Sequence, residues 1–141
     1  MKNTFNLTLF SITLLTFTVQ SSNYLEETFT EKPPAIVTNT MIEIPEKEKR
    51  AEHALLKKGI DAFLKREFFD ALTHFTKALG DYGSPLGYLY ASALETAPQT
   101  KTRYYLIAQK AEEFGALPAG TVKTHNMWIQ HFFENLKKSP A

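Results

Sequence analysis

The chain has no cysteine. That absence removes disulfides, thiolate metal sites, a cysteine nucleophile and the acylated thiol of a bacterial lipoprotein. Basic runs are short, "EKEKR" and "LKK" being the longest, and the formal net charge is +1. A surface that tracks phosphates needs clustered Lys and Arg, so nucleic acid is not an expected partner. The six glycines are scattered, so no Gly-rich loop is available to cradle a phosphate. Ser84, Ser92 and Ser139 lack the strand–turn–helix setting of an activated nucleophile. What the chain does have is apolar and aromatic bulk, 43% and 13% of its 141 residues, enough for one packed domain.

The N-terminal stretch "MKNTFNLTLFSITLLTFTVQSS" carries one positive charge, Lys2, then an apolar and Thr-rich run from Phe5 to Val19, then small polar residues. This is the layout of a secretory signal, with Val19 and Ser21 at the two small-residue positions of a cleavage site. The run is shorter than the roughly 20 residues that span a bilayer as a helix. Residues 1–21 are therefore expected to be a signal peptide or an N-terminal membrane anchor, which places the protein in the cell envelope, the periplasm or the secreted space. Removing them takes away Lys2 and no acid, leaving 15 basic and 15 acidic residues. Residues 22–45 hold Pro33, Pro34 and Pro45 and show no sustained period, so they are expected to be a flexible linker.

From Pro45 onward the pattern is helical. Leu55, Leu56, Ile60, Phe63 and Leu64 recur at helical spacing, and a break is expected near Arg66. "EFFDALTHFTKAL" resumes with Phe68, Leu72, Phe75 and Leu79, and "GDYGSP" stops it. "PLGYLYASALE" predicts a third helix and "KTRYYLIAQKAEEFG" a fourth, with Tyr104, Ile107, Ala108, Ala111 and Phe114 on its stripe. "TVKTHNMWIQHFFENLKK" predicts a fifth. Residues 46–141 are thus expected to be one all-α domain.

A weak repeat runs through this domain. Lys77, Ala78, Pro85 and Gly87 recur as Lys110, Ala111, Pro118 and Gly120, each 33 residues on, the length of an antiparallel helix pair with its turns. Within "GIDAFLKREFFDALTHFTKAL", Gly59, Ala71, Phe75 and Ala78 are separated by 12, 4 and 3 residues, with Phe68 opening the second helix. Antiparallel helices that cross closely need small residues where their backbones meet. This spacing resembles the tetratricopeptide repeat, and the loop-closed second unit also resembles the related Sel-one-like repeats. The match covers residues 52–120. In the first unit Lys58, Ala62 and the late Pro85 depart from the family's pattern, while Leu86, Gly87 and Tyr90 fit the first-helix pattern of a second unit. The resemblance implies a short antiparallel helix-pair solenoid of about two repeats plus a C-terminal capping helix. It also implies a concave face lined by Leu56, Ile60, Phe63, Tyr88 and Ser92. Apart from the resemblance, Trp128 lies one residue off the Ile129 stripe, where a Trp is either an exposed interface anchor or packed under the last helix. Such a face takes a protein or peptide partner. The same apolar stripe is equally the signature of core packing.

Catalytic chemistry finds little footing. His125 and His131 are six apart and fall on different helix faces, unlike the three- or four-residue spacing of a metal pair. His74 falls on the flank of its helix, and Glu112–Glu113 are adjacent and diverge. The expected function is a non-catalytic protein-interaction module with no cofactor or metal. The rivals are a small envelope enzyme built on Glu112, Glu113, His125 and His131, and a homo-oligomeric spacer.

Overall fold

The structure is a computed structural model, and it describes residues 32–40 and 45–138. The signal or anchor expected at 1–21 lies outside the described residues, as does most of the expected linker. Pro33–Ala141 cluster as one unit, apart from Met1–Lys32. Among the described residues there is no strand, and the helices are α1 (Glu46–Leu64), α2 (Phe68–Tyr82), α3 (Pro85–Leu94), α4 (Pro98–Glu113) and α5 (Thr121–Lys138). Consecutive helices pack on one another: α1 on α2, α2 on α3, α3 on α4. The architecture is the all-helical, short helix-pair solenoid that the periodicity predicts.

Each helix end has a local cause. Glu46 and Glu48 occupy the first turn of α1, where acids suit the N-terminal dipole. α1 stops on a Schellman motif: the Arg66 N–H donates to the Phe63 carbonyl at 3.0 Å and the Glu67 N–H to the Ala62 carbonyl at 2.9 Å. This closure puts Arg66 at φ 65°, a left-handed position that glycine fills at lower cost. α2 runs through Gly80 and ends at Gly83, whose φ of 60° turns the chain into α3. Ser84 caps α3, its Oγ accepting from the Gly87 N–H at 3.1 Å, with Pro85 at the first helical position. Pro98 opens α4 in the same way, three residues before the predicted start. α4 closes on a second Schellman motif, from the Gly115 N–H to the Glu112 carbonyl and from the Ala116 N–H to the Ala111 carbonyl. Phe114, expected on the buried stripe of α4, is therefore past its end and exposed.

The small residues sit where helices touch. Ala71, Phe75 and Ala78 are fully buried on α2, and Gly59 is buried on α1. A Cβ on Gly59 would lie 2.5 Å from the Phe75 ring, so the missing side chain is the space that ring fills. A Cβ on Gly87 would lie 3.1 Å from the Phe75 carbonyl oxygen and 3.2 Å from the Leu79 nitrogen. Here it is the backbones of α2 and α3 that approach closely. Phe75 also stacks on Tyr90 of α3, with centroids 5.0 Å apart. Phe68 is half-buried and meets Phe63 edge-on at 5.6 Å.

Candidate functional site

Three features of the surface bear on function: the inner face formed by α1 and α3, the segment 33–40 that crosses it, and a groove between α4 and α5.

The inner face is closed by the chain itself. Leu56 and Phe63 are fully buried and Ile60 nearly so. Over Phe63 lie three rings of α5: Trp128 at 5.7 Å, Phe132 at 4.6 Å and Phe133 at 5.5 Å. Trp128 is buried among Phe63, Tyr90 and Phe132, with its indole N–H lacking a hydrogen-bond partner. Tyr88 is half-buried and meets Tyr104 of α4 edge-on at 5.3 Å. Ser92 is buried, its hydroxyl donating to the Leu89 carbonyl. Of the two readings of the stripe, groove or core, Leu56, Ile60 and Phe63 are thus core, while Ser92 also borders the groove between α4 and α5. The reason is that α5, expected as a cap, turns its aromatic residues onto α1 and α3.

Segment 33–40, expected as linker, runs along the helices and is tied to them at spaced points. The Thr40 N–H donates to the Ala116 carbonyl at 3.0 Å, and the Thr40 hydroxyl reaches the carbonyls of Gly115 and Ala116 at 2.8 and 3.0 Å. Asn39 is buried. At the other end, the Ala35 carbonyl lies 3.2 Å from Nε2 of His125. Because that oxygen can only accept, Nε2 carries the proton, and Nδ1 is left to accept from the Tyr90 hydroxyl at 2.7 Å. The neutral ring is thus satisfied on both sides. A second proton would have to enter at Nδ1 against the Tyr90 hydroxyl, in a site closed to water. Burial accordingly lowers the His125 pKa from the usual 6.5 to about 4, the bond to Ala35 pulling weakly the other way. Burial likewise pushes the Tyr90 phenol up.

Glu52 is the residue that periodicity misses. It extends the buried stripe of α1 by one position beyond Leu56 and has no solvent exposure. Burial raises its pKa, while the Ser84 hydroxyl and the Asn39 main chain, close by, favour the charged form. Neither carboxyl oxygen has a well-formed hydrogen bond. A signal was present, a carboxylate on an apolar stripe, but a stripe can equally end one turn earlier.

The residues of the catalytic alternative are each engaged elsewhere. Glu112 caps α5, its Oε2 accepting from the Gly120 N–H at 2.9 Å and its Oε1 from the Val122 N–H at 2.7 Å. Glu113 pairs with Lys110 at 3.4 Å. His125 holds Tyr90 and Ala35, as above, and His131 is half-buried. Among the described residues no cluster of three or more His, Asp or Glu could hold a metal ion, and no helix is long and apolar enough to cross a membrane.

The open surface lies between α4 and α5. Two adjoining cavities of about 320 and 300 Å³ share Tyr105 and Asn126, the first bordered by Ser92, Lys101 and Leu106, the second by Glu112, Val122 and Met127. Leu106 and Met127 are about half exposed, at 50% and 48%. Elsewhere Phe69 stands out from α2 at 82% exposed. No family model, curated protein or solved structure matches the chain.

Proposed function

We propose that the protein is a non-catalytic interaction module of tetratricopeptide-like construction, exported to the cell envelope or the secreted space, that binds a protein partner along the α4–α5 groove. The observation that carries the reading is the pairing of a closed stripe on α1 with this open groove between α4 and α5 and its half-exposed Leu106 and Met127. The close approaches at Gly59 and Gly87 support the repeat construction. Along α4 the groove runs from Lys101 to Glu113, about 18 Å at a rise of about 1.5 Å per residue. That length accommodates three turns of an amphipathic helix, whose apolar side would rest on Tyr105, Leu106 and Met127. Export rests on the sequence pattern of residues 1–21 alone.

The test replaces the two apolar residues at the groove by acids. Leu106→Glu and Met127→Glu should fold as the wild type does, since both side chains are half in solvent. The captured partner is identified from envelope extracts, purified and titrated against wild type and variants. A loss of at least ~1.4 kcal/mol, about tenfold in affinity, is expected for each. Unchanged affinity in both variants would remove the groove from the reading. A wild-type dimer in light scattering that both variants dissociate would transfer the groove to self-association.

A further inference from the structure

The charges that border the α4–α5 groove are mostly engaged within the chain. The Lys101 ammonium donates to the Ser92 carbonyl at 2.8 Å and the Ala93 carbonyl at 3.3 Å, in the last turn of α3, where a cation suits the helix end. Both carboxyl oxygens of Glu112 accept from main-chain N–H groups at the start of α5, and Glu113 pairs with Lys110. Of the four charged residues along the groove, Lys123 alone has no partner among the described residues, and it borders the same cavity as Glu112. The uncharged polar residues are in the opposite condition. Asn126, which borders both cavities, Gln130 in the first and Gln109 in the second make no hydrogen bond among the described residues. Asn126 and Gln109 are half-buried and Gln130 is exposed, so their amides are left to solvent. A ligand that covers them removes that solvent, and each amide without a replacement bond weakens binding. A carboxamide both donates and accepts, so another carboxamide or a hydroxyl replaces what water supplied. A carboxylate or ammonium laid over Asn126, beside Tyr105, Leu106 and Met127, would lose its hydration and meet no opposite charge.

We infer that the groove selects a partner helix whose contact face is uncharged: an apolar stripe flanked by Asn, Gln, Ser or Thr side chains that pair with Gln109, Asn126 and Gln130. The inference rests on the groove being the docking site proposed above, and it adds what the partner must carry there. Binding of such a face is insensitive to salt, because no ion pair forms across the contact for salt to screen.

The test titrates the full chain with stapled three-turn helical peptides, the staple holding a helix too short to form alone. All carry the same Leu stripe and the same solvent face of alternating Lys and Glu, and differ only in flanking positions that are all Gln, all Glu or all Lys. Amide NMR shifts report where each peptide binds. The Gln-flanked peptide should move the signals of Tyr105, Leu106, Asn126 and Met127, with a Kd that changes less than ~twofold between low and high salt. The Glu- and Lys-flanked peptides should bind at least ~tenfold more weakly at low salt. Asn126→Asp keeps the side-chain shape and adds a charge, and should weaken the Gln-flanked peptide about tenfold while tightening the Lys-flanked one. Lys123→Gln should leave the Gln-flanked peptide unchanged. A charged peptide that binds the groove as tightly as the Gln-flanked one overturns the selectivity and leaves the groove as a docking site. So does a Glu-flanked peptide that binds more tightly and loses its advantage in Lys123→Gln. No shift at those four residues with any of the peptides overturns the selectivity and the groove reading together.

Discussion

Gly59 and Gly80 would look alike in a composition table, yet they predict opposite outcomes for the same substitution. At Gly59 the incoming methyl meets three atoms of the Phe75 ring between 2.5 and 2.8 Å. That ring cannot retreat, since Phe75 is fully buried and stacked on Tyr90. Gly59→Ala should destabilise the domain by about 1–3 kcal/mol, the usual range for overpacking a core. At Gly80 nothing lies within 4 Å and the residue is helical. Gly80→Ala should stabilise by roughly 0.5–1 kcal/mol, because alanine gives up less backbone entropy in a helix. Urea unfolding of both variants measures the pair, and equal signs would remove the close crossing from the account.

Among elements, the turn between α1 and α2 offers the clearest stability gain. Arg66 holds the left-handed position of a Schellman motif with a side chain that disfavours it. Arg66→Gly should raise stability by up to about 1 kcal/mol, less the extra freedom glycine gives the unfolded chain. The melting temperature of the variant reads the difference. This turn was legible in the sequence, as were α3 and α5, because turn chemistry and a 3.6-residue period agree there. The end of α2 was less so: Gly80 and Gly83 both signal a stop, and only the hydrogen bonds to Gly83 decide between them. Segment 33–40 was not legible at all. Its anchors are the Ala35 carbonyl and the N–H and hydroxyl of Thr40, and main-chain atoms with a single threonine make no pattern of side chains that marks them. The stripe of Leu56, Ile60 and Phe63 was legible as apolar. Whether it faced a partner or α5 depended on where Trp128, Phe132 and Phe133 come to rest, a long-range fact that local period does not hold.

For the molecule as a whole, two and a half helix pairs are fewer than solenoids generally need to bury a continuous core, and here α5 and segment 33–40 close the inner face instead. That solution buries His125 and Glu52, and their titrations set how stability varies with pH. The folded pKa of His125 is depressed, to about 4 from 6.5, so the folded chain binds fewer protons than the unfolded chain between those values. Stability from this group is full above pH 6.5 and falls as pH drops toward 4, by about 3 kcal/mol at ~1.36 kcal/mol per pKa unit. Glu52 acts in the opposite sense. Its folded pKa is raised above 4.5, so its contribution is full below 4.5 and is lost as pH climbs through the raised value. In the wild type the two slopes oppose each other just above pH 4.5, which flattens the stability curve there. Glu52→Gln takes away only the second. The variant should be more stable than the wild type at pH 7, with a gain that shrinks as pH falls toward 4.5, and its curve should show the His125 decline below 6.5 unopposed. Denaturant midpoints from pH 4 to pH 8 for both proteins check this, and a Gln variant less stable at pH 7 would mean that the Glu52 carboxylate is held by bonds strong enough to outweigh its burial.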